Sequence, residues 1–431
     1  MTTLAPSVPA TRRERLRALV AHAVERSPYY REAIGTAAVR GRLDLAALPT
    51  LPKATFMREW DRILTVPEVR LADVEAHLAG DDAGTPYRGR FRIFASSGSS
   101  GLRGVFVQSE DEFRQWVGAH LPVFARLGIG PSTRLAGIGA PSPIHLSKQL
   151  FAALGGGSSA PRLSVLTPMP EIVEALGSFR PDALIGYASI MAALAREQLD
   201  GRLDIAPGIV ATGAELLTSE MEARIVEAWG IRPAQVYATT EAPIIAASDP
   251  GATGLRVLGD AVWIEVVDED GRPVPAGTPG HRVLLTNLVN RVQPLIRYEL
   301  TDSVTLAEPD VIASIDGRSD DVLHLPGADG SAVAVHPLTL RAAFARLPDV
   351  ALYQLVHDGS DLRVRVVPRP AAAAGLADRV RSALGSALAE AGVAAVPHVE
   401  LTDSIEREGH AAKLKLVKRV ERAQRPRSGR A

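Results

Sequence analysis

The first part of the chain carries apolar residues at helical spacing. Apolar positions between Leu16 and Val24 recur at intervals of three and four residues, and they predict an amphipathic helix that ends near Ser27. A second stripe of the same kind runs from Phe113 to Phe124. Each segment is therefore expected to place one helical face against a core.

Between residues 171 and 237, helical and strand patterns alternate. The predicted order is helix 171–177, strand 183–185, helix 190–199, strand 209–211, helix 221–229 and strand 235–237. The last helix is preceded by Ser219 and Glu222, which are spaced as a capping box. This alternation implies right-handed crossovers and a largely parallel sheet, so the predicted fold class is α/β.

Near residue 255 the pattern becomes that of a β-rich region. Strands 262–267 and 283–286, with a turn at 268–271, predict hairpin-connected strands. After Gly317, helix 338–347, strands 351–356 and 362–367, helix 376–391 and strand 396–401 predict a small α+β unit. We therefore expect a large N-terminal domain over 1–316 with a β-rich subdomain at about 255–316, a mobile C-terminal module over 317–421 and a disordered basic tail over 422–431.

Composition and charge narrow the class of ligand. The 431 residues include 46% hydrophobic residues and have a formal net charge of −1, so a core forms but no broad basic surface faces nucleic acid or an anionic membrane. Small-molecule chemistry is therefore favoured. The absence of cysteine excludes disulfides, thiolate zinc sites and a cysteine nucleophile. Since the sequence shows no apolar leader or membrane span, we expect a cytoplasmic protein.

Small and hydroxylated residues dominate the segment from Ser96 to Gly104, which lies between two apolar runs. Hydroxyls, exposed N–H groups and one guanidinium could converge there on an anion, as a polyphosphate requires. The spacing differs from that of a Walker motif, and a plain Gly/Ser hairpin is the alternative interpretation. The candidate residues are Ser96, Ser97, Gly98, Ser99, Ser100, Gly101 and Arg103.

Two further polar segments follow predicted strands, one after strand 209–211 and one at the end of strand 235–237. Open α/β sheets bind ligands at the carboxyl ends of their strands. Tyr237 offers an aromatic face for a purine, and Glu241 offers the hard oxygen ligands that magnesium prefers. Turns with incidental polar residues are the alternative. The candidate residues are Gly213, Ala214, Glu215, Tyr237, Thr239, Thr240 and Glu241.

Charged residues in the last third of the chain complete the set. Asp302 follows an apolar strand and could accept both hydroxyls of a ribose. Arg318 and Asp320 lie at the predicted domain boundary, where the arginine could reach a sugar or a phosphate and the acid could serve a hinge. Lys413 could stabilise charge on a carboxylate that attacks a phosphate, if the C-terminal module folds over the large domain. A salt-bridged linker and a surface lysine are the alternatives.

Taken in this order, the segments resemble those of the adenylate-forming superfamily of acyl-CoA synthetases, peptide-synthetase adenylation domains and luciferases. The resemblance is specifically to its phenylacetate-coenzyme A ligase-like branch, and it runs from Ser27 to Lys413. It implies the following roles: the Ser96 to Arg103 loop for the β- and γ-phosphates of ATP, Gly213 to Glu215 and Tyr237 for adenine, Thr240 for the α-phosphate, Glu241 for magnesium, Asp302 and Arg318 for ribose, Asp320 for the hinge, and Lys413 for adenylation.

The same resemblance implies an activity. The enzyme would adenylate a carboxylic acid, expected to be aromatic, with release of pyrophosphate, and would transfer the acyl group to coenzyme A. ATP and magnesium are the implied cofactors. Gly139, His145 and Ala238 fall where the family forms its acyl pocket, although a loop histidine without function is the alternative for His145. A homodimer is left open.

The chain departs from the family pattern at three places. Leu102 stands where the phosphate loop usually has a lysine, no cysteine is present for the zinc site of some relatives, so no zinc is expected, and residues 325–331 alter the region that meets the pantetheine arm. A different acceptor is therefore the first alternative: an amine or amide ligase, a carrier-protein loading enzyme or a nitrite-activating diazotase of secondary metabolism. An inactive nucleotide-binding regulator is the second. A Rossmann oxidoreductase is disfavoured because no Gly-x-Gly-x-x-Gly links an early strand to a helix.

Overall fold

The computed structural model describes residues 12–35, 43–96, 103–142, 144–153, 161–250, 252–327, 331–335, 340, 343–344, 347, 349–357, 361–369, 372, 374–407 and 414–420. The helices are α1 Arg12–Arg26, α2 Pro28–Ile34, α3 Lys53–Arg58, α4 Trp60–Ile63, α5 Leu71–Ala79, α6 Glu110–Arg126, α7 Leu146–Ala153, α8 Met169–Phe179, α9 Ala188–Leu199, α10 Ser219–Trp229 and α11 Leu376–Glu390. Short 3-10 turns cover Leu45–Ala47 and Ser319–Asp321.

The strands of residues 91–318 are β1 Phe91–Ala95, β2 Val105–Ser109, β3 Leu135–Gly139, β4 Arg162–Ser164, β5 Ala183–Tyr187, β6 Ile209–Gly213, β7 Ala234–Tyr237, β8 Ala246–Ala247, β9 Leu255–Val257, β10 Val262–Val267, β11 Arg282–Asn287, β12 Tyr298–Leu300, β13 Asp302–Glu308 and β14 Val311–Arg318. Those that follow are β15 Leu323–Pro326, β16 Ala332–Val335, β17 Val350–His357, β18 Leu362–Pro368, β19 His398–Leu401 and β20 Val417–Arg419.

The large part of the protein comprises the described residues up to Asp321. A nine-stranded sheet in the order β13-β14-β9-β8-β7-β6-β5-β3-β4 forms its centre. Strands β3 to β7 pair in parallel, as the alternation of helices and strands predicts, whereas β7, β8, β9, β14 and β13 pair antiparallel. Successive residues of the parallel strands belong to different hydrophobic clusters, because side chains along a strand alternate between the two faces. Leu135, Ala183 and Ile209 contact one cluster, while Ala136, Leu184 and Val210 belong to the other. The predicted α/β class is confirmed.

The helix ends follow local capping chemistry, with one correction. Ser109 caps α6 in a capping box with Glu112. For α10 the expected cap was Ser219, but the hydroxyl of Thr218 accepts the N–H of Met221 instead, so Ser219 lies one position inside the helix. Threonine caps a helix in the same way as serine, and the sequence pair alone does not decide between neighbouring hydroxyls.

The β-rich region is divided between two sheets. Strands β10, β11 and β12 form a separate antiparallel sheet, as the strand pattern predicts for the first two. By contrast, β9, β13 and β14 extend the central sheet at its antiparallel edge. Asp316 lies inside β14, which continues to Arg318. The domain boundary expected near this residue stays a prediction.

The C-terminal module, residues 323–420, has its own hydrophobic cluster between Leu323 and Val417. Its sheet has the order β19-β18-β17-β20, and α11 packs beside it. The sequence did not predict the hairpin β15–β16 or strand β20. The predicted helix 338–347 lies largely outside the described residues, and the tail 422–431 lies wholly outside them. Within the part of the chain that the structure describes, no helix is long and apolar enough to cross a bilayer.

A buried ion pair joins the small sheet to the N-terminal segment. Arg297 is 6% exposed and adopts a left-handed backbone conformation with φ of 51°. Its Nε and Nη2 donate to both oxygens of Glu265 at 3.0 and 3.1 Å, and Nη1 donates to the carbonyl of Ala46 at 3.1 Å. The guanidinium thus fixes three chain segments at one point.

We expect Arg297→Met to lower the free energy of unfolding by about 3–5 kcal/mol, because it leaves the Glu265 carboxylate buried without its counter-charge. Denaturant unfolding measures this change. The matched control is Arg272→Met, which breaks an exposed pair with Asp270 and should cost at most about 1 kcal/mol. Equal losses in the two variants would contradict a structural role for the buried pair.

Candidate active site

A cavity of about 590 Å³ opens at the carboxyl ends of the parallel strands. The terminal residues of β3, β5, β6 and β7 line it, namely Gly139, Tyr187, Gly213 and Tyr237. Adjacent parallel strands end at the same edge of a sheet, and ligands of open α/β folds bind there. The volume is that of a small-molecule site.

The end of β6 turns its backbone into this cavity. Gly213 pairs with Tyr187 on one side and Val236 on the other, and an added Cβ would lie 3.1 Å from the Val236 carbonyl oxygen. Ala214 then takes a left-handed conformation with φ of 63°, which is costly for a residue with a side chain. The three predicted residues Gly213, Ala214 and Glu215 all line the cavity.

Tyr237, at the end of β7, hydrogen-bonds to Asp302 of β13. The tyrosine hydroxyl donates to Asp302 Oδ2 at 3.0 Å. Burial, and then the Asp302 charge, raise the pKa of Tyr237 well above its ordinary value, so the phenol stays protonated. Arg318 faces Asp302 across the β13–β14 pair, with Nε 3.9 Å from Asp302 Oδ1. An aromatic ring, a carboxylate and a guanidinium therefore share one wall of the cavity.

A turn after β7 carries Thr239, Thr240 and Glu241, and all three residues line the cavity. The Thr239 N–H donates to the Ala242 carbonyl, and the Ala242 N–H donates to the Thr239 hydroxyl at 3.2 Å. Tyr298 approaches Glu241 from the core: burial, and then the Glu241 charge, raise the pKa of Tyr298 well above its ordinary value. The turn thus holds a carboxylate and two hydroxyls at the cavity wall.

The phosphate-loop candidates are only partly described. Ser97, Gly98, Ser99, Ser100 and Gly101, like Leu102, lie outside the described residues. The loop joins the antiparallel strands β1 and β2, and its ends are held together because the Ser96 hydroxyl accepts the Gly104 N–H at 2.8 Å. Ser96 lines the cavity, whereas Arg103 is not among its lining residues, so the phosphate contact of Arg103 stays a prediction.

Lys53 is a functional candidate that the sequence interpretation missed. It lines the cavity, and its Nζ donates to Ser96 Oγ at 3.2 Å. The lysine begins the short helix α3, far from the loop in sequence, and its side chain passes the backbone of Gly104. Only the tertiary structure brings this cation to the phosphate loop. The Lys-Ala-Thr segment itself offers no local pattern that would have identified it.

The other end of the cavity is largely apolar. Gly139, His145 and Ala238, the three predicted pocket residues, all line the cavity. Around them lie the apolar side chains of Phe124, Leu127, Leu146, Leu150, Phe151 and Ile185. The tip of the Phe151 ring lies against Gly137, where an added Cβ would come within 2.2 Å of the ring. A side chain at 137 would therefore displace the ring from this position.

His120 adds a polar group to this end, and sequence reasoning missed it as well. Its Nδ1–H donates to the Trp116 carbonyl at 2.7 Å, one turn earlier in α6. The side chain is buried, and desolvation lowers the pKa of His120 from 6.5 despite this hydrogen bond. The neutral imidazole is therefore the form that lines the cavity. In sequence it looked like one more residue of an amphipathic helix.

The C-terminal module closes one side of the cavity through Leu414, Lys415 and Leu416. Lys413 itself lies outside the described residues, as does the side chain of Asp320, so both predicted roles stay predictions. Asp321, next to the predicted hinge residue, does line the cavity.

The chain is similar in sequence to characterised ligases and in fold to solved structures. The phenylacetate-coenzyme A ligase of Aromatoleum evansii is 28% identical over 433 residues, which cover 91% of this chain and 90% of the relative. That of Thermus thermophilus is 27% identical over 393 residues, which cover 83% and 81%. No protein-family model matches the chain.

Among solved structures, 2-hydroxyisobutyryl-CoA ligase in its postadenylation state has a TM-score of 0.72 and 20% identity, covering 94% of this chain and 88% of that one. The same ligase in its thioesterification state gives a TM-score of 0.58 at 21% identity, with coverage of 95% and 88%. The fold is therefore that of this acyl-CoA ligase, and its cavity is lined by both the large part and the C-terminal module. In sequence, the chain is similar over most of its length to phenylacetate-coenzyme A ligases.

The neutral state of His120 predicts a pH dependence of stability. Because its pKa is lower in the folded chain than the ordinary 6.5, the unfolded chain binds more protons below neutral pH. The stabilisation is present above about pH 6.5 and is lost as the pH falls through the lower folded-state pKa. Denaturant unfolding at pH 7.5 and 5.5 should show a smaller pH effect for His120→Gln than for the unmodified protein. Exposed His398→Gln is the control, and equal pH effects in all three proteins would contradict the assignment.

Proposed function

We propose that this protein is an ATP-dependent ligase that converts a carboxylic acid to an acyl-adenylate, releases pyrophosphate and transfers the acyl group to coenzyme A. The observation that carries the proposal is that one cavity is lined by Ser96, by Glu215, by Glu241 and by Asp302, which come from four separate segments. These residues are those that the sequence motifs single out for ATP. The phenylacetate-coenzyme A ligase relatives support the same reaction class.

The described contacts support the nucleotide half of the proposed site. The aromatic face of Tyr237 would pack on adenine, and the Asp302 carboxylate would accept the ribose hydroxyls beside Arg318. Thr240 would contact the α-phosphate, and Glu241 would contact magnesium. The described residues contain no cluster of three or more His, Asp or Glu suited to a metal. Magnesium would therefore enter as the ATP complex, with one protein carboxylate added to the phosphate oxygens.

Lys53 would supply the phosphate-loop cation in place of the lysine that Leu102 replaces. Its Nζ already contacts Ser96, the first hydroxyl of the loop. A cation beside the β- and γ-phosphates neutralises charge on the pyrophosphate that leaves. The family pattern would then be conserved in its chemistry, although the lysine comes from a different segment.

The reaction needs positioning and charge neutralisation. A carboxylate oxygen of the acid attacks the α-phosphorus, and the bond from that phosphorus to the bridging oxygen breaks, so pyrophosphate leaves with the electron pair. In the second half-reaction the thiol of coenzyme A, losing its proton, attacks the acyl carbon, and AMP leaves. Lys413 would stabilise charge in the first of these steps.

An aromatic acid fits the apolar end of the cavity. Phe124 and Phe151 supply rings, and Gly139, beside which no heavy atom lies within 4 Å of an added Cβ, leaves open space in the cavity. His120 and His145 are two of the polar groups that line the cavity beside these residues, so a ring with a polar substituent could also be accommodated.

A panel of aromatic and aliphatic acids tests the proposal. Each acid is incubated with Mg-ATP, with and without coenzyme A, and pyrophosphate and thioester are both measured. We expect acid-dependent pyrophosphate release, and thioester only when coenzyme A is added. Pyrophosphate without thioester would favour an amine ligase or a carrier-protein loading enzyme, and pyrophosphate only when nitrite replaces the organic acid would favour a nitrite-activating enzyme. No pyrophosphate with any acid would favour an inactive nucleotide-binding protein.

We expect Glu241→Gln to lower the rate of acid-dependent pyrophosphate release on the order of 10²-fold at fixed magnesium, because a neutral amide binds the metal poorly. Raising the magnesium concentration should recover part of the loss. Glu299→Gln is the control, since Glu299 does not line the cavity. Unchanged turnover in Glu241→Gln would remove this residue from the site.

We expect Lys53→Met to lower kcat/KM for ATP by about 10- to 100-fold, because one phosphate cation is lost. Lys53→Arg should keep most of the activity, since it keeps the charge. Steady-state kinetics with ATP as the varied substrate measure both variants. A Lys53→Met enzyme with normal ATP kinetics would show that the contact with Ser96 is only structural.

A further inference from the structure

Glu215 is the point where the C-terminal module contacts the large part through charge. The glutamate side chain is 7% exposed, and its Oε1 accepts from Arg407 Nη1 at 3.2 Å and from the Leu414 N–H at 2.8 Å. Its Oε2 accepts the N–H of Ser189 at 3.1 Å. The carboxylate that the sequence assigned to adenine is thus already engaged by the C-terminal chain.

Arg407 bridges the same two parts a second time. Its Nη2 donates to the Ser189 hydroxyl at 2.8 Å, in the first turn of α9. The arginine side chain is 18% exposed, so the pair with Glu215 is shielded from most of the solvent. Charge-assisted hydrogen bonds of this kind are stronger than neutral ones and are less affected by salt than exposed pairs.

Apolar packing surrounds these polar contacts. Ile405 and Leu414 of the C-terminal module are buried in one cluster with Ala188, Ala192 and Met221 of the large part. Leu414 directly follows Lys413 in the chain, and consecutive Cα atoms are only about 3.8 Å apart. The carboxylate of Glu215 therefore holds the chain at the residue that directly follows Lys413.

The same interface also holds two arginines whose charges repel each other. Arg224 of α10 is 8% exposed and borders a small gap beside Leu352 and Tyr353 of the C-terminal module. Its Nε, like that of Arg369 in the C-terminal module, is buried without a hydrogen-bond partner among the described residues. Desolvation, and then the Arg369 charge, lower the pKa of Arg224. Docking of the module therefore brings two like charges together.

We propose that Arg407 is a positioning residue whose pairing with Glu215 and Ser189 latches the C-terminal module in the arrangement that sets Lys413 for adenylation. The latch breaks before the acyl group is transferred, and the repulsion between Arg224 and Arg369 helps to release it. A contact made in only one of two arrangements shifts the balance between them, which is what alternation of two half-reactions in one cavity requires. The inference rests on the proposed function for its chemistry.

The test separates the half-reactions. In Arg407→Met, acid-dependent pyrophosphate release should fall by about 10- to 100-fold, because Lys413 is less well placed. Thioester formation from supplied acyl-adenylate and coenzyme A should stay within about 3-fold of the unmodified rate or rise, since that step does not use the latch. Arg407→Lys keeps the charge but not the two-pronged hydrogen-bonding geometry. Its rate of pyrophosphate release should therefore lie between the rates of Arg407→Met and the unmodified enzyme. Equal loss of both half-reactions would overturn the proposal.

Two further variants serve as comparisons. Arg379→Met breaks an arginine–carboxylate pair with Asp349 inside the C-terminal module, so it should not separate the half-reactions. Arg369→Met removes the repulsive partner, so adenylation should be kept while acyl transfer slows. If Arg369→Met instead lowered pyrophosphate release and kept thioester formation, as expected for Arg407→Met, the opposed roles of Arg369 and Arg407 would be contradicted.

A readout independent of activity keeps the latch testable if the proposed function is wrong. The chain has no cysteine, so dyes can be attached at single cysteines introduced at exposed Leu166 and Val396. Energy transfer between them should decrease in Arg407→Met and remain unchanged in Arg379→Met. An unchanged signal in Arg407→Met would overturn the latch. Absence of pyrophosphate with every acid in the unmodified enzyme would instead overturn the proposed function.

Discussion

The site depends on one constraint of sheet geometry, which is that neighbouring parallel strands end at the same edge. Gly139, Tyr187, Gly213 and Tyr237 are far apart in sequence, yet parallel pairing from β3 to β7 places all of them on one cavity. Each crossover helix then returns the chain to the opposite edge, so every strand adds one loop to the same place. The polar residues after these strands meet for this reason.

The antiparallel extension of the sheet adds what the parallel part lacks. Strands β13 and β14 carry Asp302 and Arg318 as cross-strand partners, and the sheet brings this pair within reach of Tyr237. The sequence analysis placed residues 302–316 in a β-rich subdomain but did not predict these two strands. It could not indicate their sheet, because pairing between β14 and β9 joins segments more than fifty residues apart and has no local pattern. Among the candidate residues that the structure describes, Asp302 and Arg318 line the same cavity as Tyr237 and Glu241, and their ligand roles stay predictions.

Structural features that follow from local sequence patterns could be predicted, whereas those that depend on long-range contacts could not. Helices such as α1, α6 and α11 follow apolar spacing over many residues, so their existence could be predicted, while the cap of α10 shifted by one hydroxyl. The sequence analysis did not identify Lys53, His120 or Arg407. Lys53 and Arg407 have partners that are distant in sequence, and His120 is distinguished only by its burial in the cavity wall. A lysine, a histidine and an arginine are ordinary on the helices and loops that carry them.

The contact between Gly137 and Phe151 means that these two positions shape the same part of the cavity. The ring occupies the volume that any side chain at 137 would need, so the depth of the apolar end is set jointly by both positions. A larger residue at 137 would displace the ring from its present position. Changes in the size of the acid that such a pocket admits would therefore involve both positions together.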